Sequence, residues 1–393
     1  MSKRKILLLS GYDAPSHQYW RECLSEYLPE FNWTQIALPP RHFAWRIRGN
    51  AFNFVTKYRA ILEKDYDLLI VTSMVDLNNL RGLIPKLSNI PTLLYFHENQ
   101  FAYPRATDNE IENQNLLNAQ ITSMFSCYGA NKILFNSKFN LNSFFEGVLK
   151  LAKKLPDGLS TKEIEGLKDK SKVIPVPIKH VLFEHDKHLR TSPTPKQDNA
   201  AVKILWNHRW EFDKQPEVFF KAMSLLRQQN VKFELYIMGQ SFREQPECFT
   251  KAKMELENQI KVMGYQPLKE YQQILKSADI VISSASHDFQ GLSMLEAIYH
   301  GCVPIAPNRV AYPEYIKKEL LYRLPEQSLN LSKVQLLEKE SKYLSEKILK
   351  VVSNEEFKNN RAQMIESCQS LTRDYSVNHL LPIYKNEILK LIN

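Results

Sequence analysis

Glycine is scarce, with 11 residues in a chain of 393, roughly half the usual share of about 7%. That excludes collagen-like and Gly/Ser-linker architectures. It also leaves no G-x-G-x-x-G fingerprint and no Walker A loop, the two commonest glycine-rich phosphate cradles. Cysteine is scarce as well: Cys23, Cys127, Cys248, Cys302 and Cys368 form no C-x-x-C pair and are odd in number. They read as reduced cytosolic residues, mostly buried, with no zinc site. Long apolar runs are missing too, and nothing approaches the roughly 18 residues a membrane span needs. The apolar start Ile6–Leu9 follows Lys3-Arg4-Lys5, is too short for a signal peptide, and meets polar Ser10-Gly11-Tyr12-Asp13. The expectation is a cytoplasmic chain without a membrane span.

What is present is a full complement of core-forming residues, 44% apolar, and a net charge of +9. The apolar content excludes a wholly disordered chain. The charge fits a partner bearing phosphates, whether nucleotide, nucleic acid or anionic membrane, and does not choose among them. Short apolar runs alternate with helical periodicity along the whole length, the pattern of an α/β protein with parallel sheets. Strands are expected at Ile6–Ser10, Leu68–Thr72, Thr92–Phe96, Lys132–Phe135 and Val173–Val176. Ser16 is a candidate N-cap for the first helix. A polar, Pro-containing stretch at 184–200 reads as a linker. Then the pattern restarts, with strands at Lys203–Trp206, Phe233–Met238, Ile260–Met263, Asp279–Ser283 and Val303–Ala306. The expected organisation is two Rossmann-like domains, 1–183 and 201–375, facing a cleft, with a C-terminal helix at 376–393 crossing back onto the first. Open parallel sheets bind ligands at the carboxyl ends of their strands, so the loops after each strand are where chemistry belongs.

Two such loops stand out. Ser283-Ser284-Ala285-Ser286-His287-Asp288-Phe289-Gln290-Gly291-Leu292 leads from a strand into a helix. Gly291 has no Cβ, so a phosphate can closely approach the free amides of the helix N-terminus, and Gln290, Gly291 and Leu292 are the donor-binding candidates there. Glu296, one turn on in an otherwise apolar helix, needs hydrogen-bond partners, which ribose hydroxyls can supply. The blander reading is a capping Asp288 and a Glu296 bonded to nearby backbone. The second loop, Trp206-Asn207-His208-Arg209-Trp210-Glu211-Phe212-Asp213-Lys214, carries two cations suited to a diphosphate, Arg209 as a fork and Lys214 as a point charge. Its blander reading is a solvated turn with Arg209 paired to Asp213.

Together, Arg209-x4-Lys214 and Asp288-x7-Glu296 with Gly291 between resemble the nucleotide-sugar site of the family-4 retaining glycosyltransferases of GT-B fold. The resemblance implies that Arg209 and Lys214 hold the donor diphosphate, Asp288 the transferred sugar and Glu296 the ribose. The family's first acid is normally Glu, one methylene longer than Asp288. In the first half, Leu38-Pro39-Pro40-Arg41-His42-Phe43-Ala44-Trp45-Arg46-Ile47-Arg48, Leu94-Tyr95-Phe96-His97-Glu98-Asn99-Gln100-Phe101-Ala102-Tyr103-Pro104 and Phe135-Asn136-Ser137-Lys138-Phe139-Asn140 are similar to segments of the tRNA-queuosine mannosyltransferase family. The likeness runs from about residue 5 to 325. Family members usually carry Gly-Gly-Ser-His in the first loop; here the Gly pair is replaced and Ser16-His17 remains. The resemblance implies GDP-mannose as donor, queuosine in tRNA as acceptor, and His97 near the reacting carbon, with Ser16, His17, Glu98, Asn99 and Gln100 toward sugar or acceptor. No metal or other cofactor and no obligate protein partner are expected.

Residues 41–59 hold Arg41, Arg46, Arg48, Lys57 and Arg59, no acid, and interleaved Phe43, Trp45, Phe52, Phe54 and Tyr58. This suits a tRNA-loop reader and equally an amphipathic helix with core aromatics and solvated cations. Asp65-Tyr66-Asp67 matches a D-x-D metal motif but precedes a strand, the wrong sheet edge. His180, His185 and His188 show no zinc spacing. Two rival readings remain open: the same enzyme class with a lipid-linked or polysaccharide acceptor, and a non-catalytic RNA-binding protein with a decayed sugar site.

Overall fold

A computed structural model describes residues 3–103, 110–155, 160–179, 201–240, 246–326, 331–354, 357 and 360–393. The chain divides into two units, Met1–Lys179 with Tyr375–Asn393, and His180–Asp374. The 184–200 linker and His180, His185 and His188 lie outside the described residues.

The first unit is built on six parallel strands, β1 (Lys5–Ser10), β2 (Asn32–Ala37), β3 (Leu68–Thr72), β4 (Thr92–Phe96), β5 (Lys132–Phe135) and β6 (Ser171–Val173). They run in the order β2-β1-β3-β4-β5-β6. Strands β3 and β4 are buried at every position, as expected where helices cover both faces of a parallel sheet and sequences read as continuous apolar runs. Strand β2 lacks such a run because it is an edge strand with only Ile36 buried, which is why its sequence gave no signal. Strand β6 falls at Ser171–Val173 rather than Val173–Val176. The first helix begins at Pro15, not after Ser16; Ala14 is its N-cap and makes no side-chain bond. Proline is at home there because a first-turn N–H has no intrahelical partner to lose.

The last helix, Val377–Ile392, starts at Ser376, whose side chain accepts from the His379 N–H. It belongs to the first unit. The Tyr384 hydroxyl accepts from the Trp20 indole N–H at 3.1 Å and donates toward the Ile174 and Pro175 carbonyls. Lys172 pairs with Glu387 at 2.9 Å.

The second unit repeats the plan with β7 (Val202–Asn207), β8 (Phe233–Met238), β9 (Ile260–Gly264), β10 (Ile280–Ile282), β11 (Val303–Pro307) and β12 (Leu321–Tyr322). Its order is β12-β11-β10-β7-β8-β9, all parallel. In each sheet the strand order reverses beside the first strand, between β1 and β3 and between β7 and β10. Ligands of doubly wound sheets bind outside the carboxyl ends at such a reversal. The two loops singled out in the second half follow β7 and β10, on either side of it. Among the described residues, no helix is long and apolar enough to cross a membrane.

Candidate active site

Lys214 organises the second unit's site. Its ammonium donates to the His287 carbonyl at 2.7 Å and stands 3.1 Å from Asp213 Oδ2 and 3.9 Å from Asp288 Oδ2. It is buried, as is Asp213. The loops are also tied through backbone: Ser286 donates N–H and hydroxyl to the Asp213 carbonyl, and Ser284 Oγ donates to the Lys214 carbonyl at 2.8 Å. Arg209 is exposed and pairs with Glu211 at 3.0 Å, not with Asp213. Burial on its own would raise the Asp288 carboxyl; Lys214 and a hydroxyl from Tyr312 outweigh it and hold the acid below the usual carboxylate range. Tyr312 donates to Asp288 Oδ2 at 3.0 Å and is itself held by Ser283 Oγ at 2.7 Å.

Gly291 is the N-cap of the Leu292–Tyr299 helix, with a left-handed φ of +78°. A Cβ there would stand 2.5 Å from the Tyr315 hydroxyl, so both conformation and space demand glycine. Gln290 is buried beside it and Leu292 is half-buried at the first helical position. Glu296 is held by side chains rather than backbone: Tyr271 donates to its Oε2 at 2.8 Å, and Asn207 Nδ2 donates to the Tyr271 oxygen at 2.8 Å. Burial raises the Glu296 carboxyl and the Tyr271 bond only partly opposes this. Gly239, at the end of β8, adopts a φ of +146°, and its backbone lies so close to the His208 carbonyl that no side chain fits.

In the first unit, His97 follows β4 and is buried. Its ring stacks on His17 with centroids 4.1 Å apart and meets Trp20 edge-on at 5.0 Å. Burial, and next the neighbouring His17, push its pKa well below the ordinary value; burial lowers His17 to about 4. Both are neutral imidazoles at pH 7. Neither ring nitrogen of His97 has a hydrogen-bond partner among the described residues, an arrangement that is costly in a folded protein unless a ligand or water completes it. The backbone around it is fixed, since Asn136 Nδ2 donates to the His97 carbonyl at 2.8 Å and Asn140 Nδ2 to that of Phe96 at 3.1 Å.

The other first-unit candidates separate. Asn99 turns inward: its amide donates to Asn140 and Ser143, and its oxygen accepts from the Phe101 and Ala102 N–H groups. It shapes the loop instead of facing an acceptor. Arg46 also turns inward, buried and donating to the Pro39 carbonyl at 3.3 Å. His17 is buried against His97 rather than presented outward. Ser16 and Glu98 are half-buried and Gln100 is buried, its amide 3.4 Å from Glu98 Oε1. Arg41, Trp45 and Arg48 are exposed. The D-x-D pair is occupied at the amino edge of the sheet, Asp67 by the Lys5 N–H and Arg4, Asp65 by Lys86.

Sequence reasoning missed the supports: Tyr271, Tyr312, Ser283 in its bonding role, Gly239, and Arg309. Arg309 donates to the Ser284 and Ala285 carbonyls, each at 2.8 Å, while pairing with Glu340 at 2.7 Å. It thereby holds the base of the Asp288 loop. The available signal was position, since Arg309 and Tyr312 sit just after β11, at the same sheet edge.

Comparison with known proteins places both halves of the chain. The profile described as "tRNA-queuosine alpha-mannosyltransferase N-terminal" matches residues 5–178, and that of "Glycosyl transferases group 1" matches residues 192–370. A tRNA-queuosine alpha-mannosyltransferase of Drosophila melanogaster is 33% identical over 324 residues, 82% of this chain and 84% of the relative. Among solved structures, sucrose-phosphate synthase from Thermosynechococcus elongatus superposes with a TM-score of 0.68 at 14% identity, covering 99% of each chain. Anabaena HepE in complex with UDP-glucose gives 0.64 at 13% identity, covering 98% of this chain and 99% of its own. These structural likenesses establish the GT-B fold.

Proposed function

The chain belongs to the tRNA-queuosine alpha-mannosyltransferase family and is a glycosyltransferase, and from that premise we propose that it moves mannose from GDP-mannose, with retention, to a hydroxyl of the cyclopentenediol of queuosine in tRNA. The observation that carries the donor half is Lys214, a buried cation seated on two loops at the strand-order reversal.

Breaking the glycosidic bond leaves negative charge on the departing diphosphate and positive charge on the sugar carbon. Lys214, Arg209 and the backbone N–H groups around Gly291, from Gln290 to Leu292, would stabilise the diphosphate, and preorganised donors of this kind are usually the largest catalytic term. Asp288 would hold the transferred sugar, kept ionised by Lys214 and Tyr312. Glu296, oriented by Tyr271, would hold the ribose hydroxyls. His97 offers to sugar or acceptor hydroxyls two ring nitrogens that have no hydrogen-bond partner among the described residues. Retention with no evident covalent nucleophile favours front-face attack: the acceptor oxygen bonds the sugar carbon as the phosphate oxygen leaves, and that phosphate oxygen takes the acceptor proton. With fixed cations neutralising the diphosphate, we expect turnover to persist in excess EDTA; abolition by EDTA and restoration by a divalent cation would refute that.

The deciding assay incubates the protein with a panel of radiolabelled nucleotide sugars and tRNA prepared with and without queuosine. Label is expected in tRNA only with GDP-mannose and only when queuosine is present. Transfer to a lipid or polysaccharide fraction, or indifference to queuosine, would overturn the assignment.

A further inference from the structure

We propose that the outward face of the Phe43–Leu62 helix is a platform on which unpaired bases of the tRNA acceptor stack, with Trp45 and Phe52 as the stacking rings and Arg41, Arg48 and Lys57 meeting the flanking phosphates. This rests on the function proposed above for its choice of tRNA; the surface itself is read from the helix.

The sequence interleaves aromatics and cations over 41–59, and the structure sorts them. Arg46, Ile47, Asn50, Phe54 and Val55 are buried. Trp45, Arg48, Phe52 and Thr56 are all exposed, and their spacing of three and four residues puts them on one helical stripe. Trp45 is 57% and Phe52 60% exposed, large values for rings of this size. From Phe31 to Leu62 the chain has no acid, and among the described residues Arg59 is the cation of this segment that forms an ion pair, with Glu63 at 2.9 Å. A solvated amphipathic helix has no need of two bare rings among unopposed cations. Bases and phosphates supply what both lack.

Three details favour single-stranded RNA. The Trp45 indole lies along the helix over Gly49, where its ring atoms come within 2.6 Å of the place a Cβ would occupy. The ring is therefore held against backbone and is ready to receive a base at little ordering cost. Trp45 and Phe52 are seven residues apart, about 10 Å along a helix, well beyond the roughly 3.4 Å between stacked bases. Two rings so spaced receive splayed bases, as in an RNA loop, and not neighbours in a duplex. The helix is also anchored at the functional edge of its sheet. Asn50 donates to the Met74 carbonyl at 2.9 Å and accepts from the Asp76 N–H at 3.0 Å, just past β3. Ser73 in that same turn bonds the Glu98 carbonyl at 3.3 Å, next to His97. The helix that carries the platform is thus anchored at the sheet edge that carries His97.

The test measures binding of queuosine-containing tRNA across a salt series, together with the KM for tRNA and for donor. Trp45→Ala and Phe52→Ala are each expected to weaken tRNA binding about five- to a hundredfold, the span of base–aromatic stacking, with Trp45→Phe retaining most of it. The KM for tRNA rises and the KM for donor does not. Arg41→Gln with Arg48→Gln is expected to reduce the slope of log affinity against log salt by about 0.7 per cation. Unchanged tRNA affinity in the double variant Trp45→Ala/Phe52→Ala, with a wild-type thermal melt, overturns the platform. So does Trp45-dependent pelleting with phosphatidylserine vesicles while tRNA affinity is untouched. If the wild-type protein transfers no mannose yet binds tRNA in a Trp45- and Phe52-dependent way, the functional reading fails and the platform stands.

Discussion

At the level of single residues, Lys214 is both the cation proposed for the donor diphosphate and the partner of a buried acid, Asp213. The sequence marked it as a charge in a polar loop after an apolar strand. Its burial against Asp213 was not legible, because that contact depends on how the loop folds. The consequence bears on any deletion experiment. Lys214→Ala is expected to lower kcat by about 10²–10³, the usual loss of a preorganised electrostatic donor. It also strands a buried carboxylate at Asp213, at a cost of about 3–5 kcal/mol. The double variant Lys214→Ala/Asp213→Asn removes that second effect. Its melting temperature should recover most of the way to wild type while turnover stays low, a separation that calorimetry and a transfer assay read directly. Recovery of turnover along with stability would make Lys214 purely structural. Tyr271 is a gentler case. Tyr271→Phe removes the donor to Glu296 and the acceptor for Asn207, and a net hydrogen bond to a charged group is worth about 1.5–3 kcal/mol. The expected result is a donor KM raised about tenfold or more with kcat little changed, since ribose contacts bind substrate and transition state alike; an unchanged KM would remove Glu296 from the donor site.

At the level of elements, what the sequence revealed depended on burial. Strands buried at every position, β3 and β4, showed as apolar runs and were found with their exact bounds. The edge strand β2 has solvent along most of its length and the two-residue β12 is too short to show a pattern. The loops after β7 and β10 were legible because charge collects where a strand stops being buried; the tyrosines that brace them were not, because Tyr271 and Tyr312 read locally as ordinary amphipathic positions. The closing helix was legible from its period and was expected to cross back onto the first domain, where it belongs, but the residues it supports there were not legible. Tyr384 reaches Trp20, and Trp20 touches both Tyr95 and His97, so the chain's last element buttresses the histidine from behind. Tyr384→Phe leaves the Trp20 indole N–H buried without its acceptor. A stability loss of about 1–3 kcal/mol is expected, read as a lower midpoint in urea with an unchanged slope. An unchanged midpoint would mean that water replaces the hydroxyl and that the helix is held by its apolar face alone.

At the level of the whole molecule, the buried histidines give the chain a definite response to acid. Burial lowers His17, His208, His287 and His300 each to about 4, and His97 falls well below its ordinary value for the same reason. In the unfolded chain these rings titrate near 6.5. Between pH 6.5 and 4 the unfolded state therefore binds more protons than the folded one, and stability must fall as the pH drops through that window. Glu211 and Glu296, raised by burial from 4.5, act in the opposite sense over part of it but are fewer. Asp288, held low, loses its contribution only at still more acid pH. The histidines lie in both units, three beside the donor loops or at the next helix and two behind the β4 loop, so neither unit escapes. The melting temperature is expected to hold steady above pH 7 and to decline progressively from about 6.5 downward. His17→Gln should flatten part of that decline without abolishing it, because one of the five proton uptakes is removed. A melting temperature independent of pH from 7 to 5 would show that these rings take up protons in the folded state and that the pair at His97 is open to water.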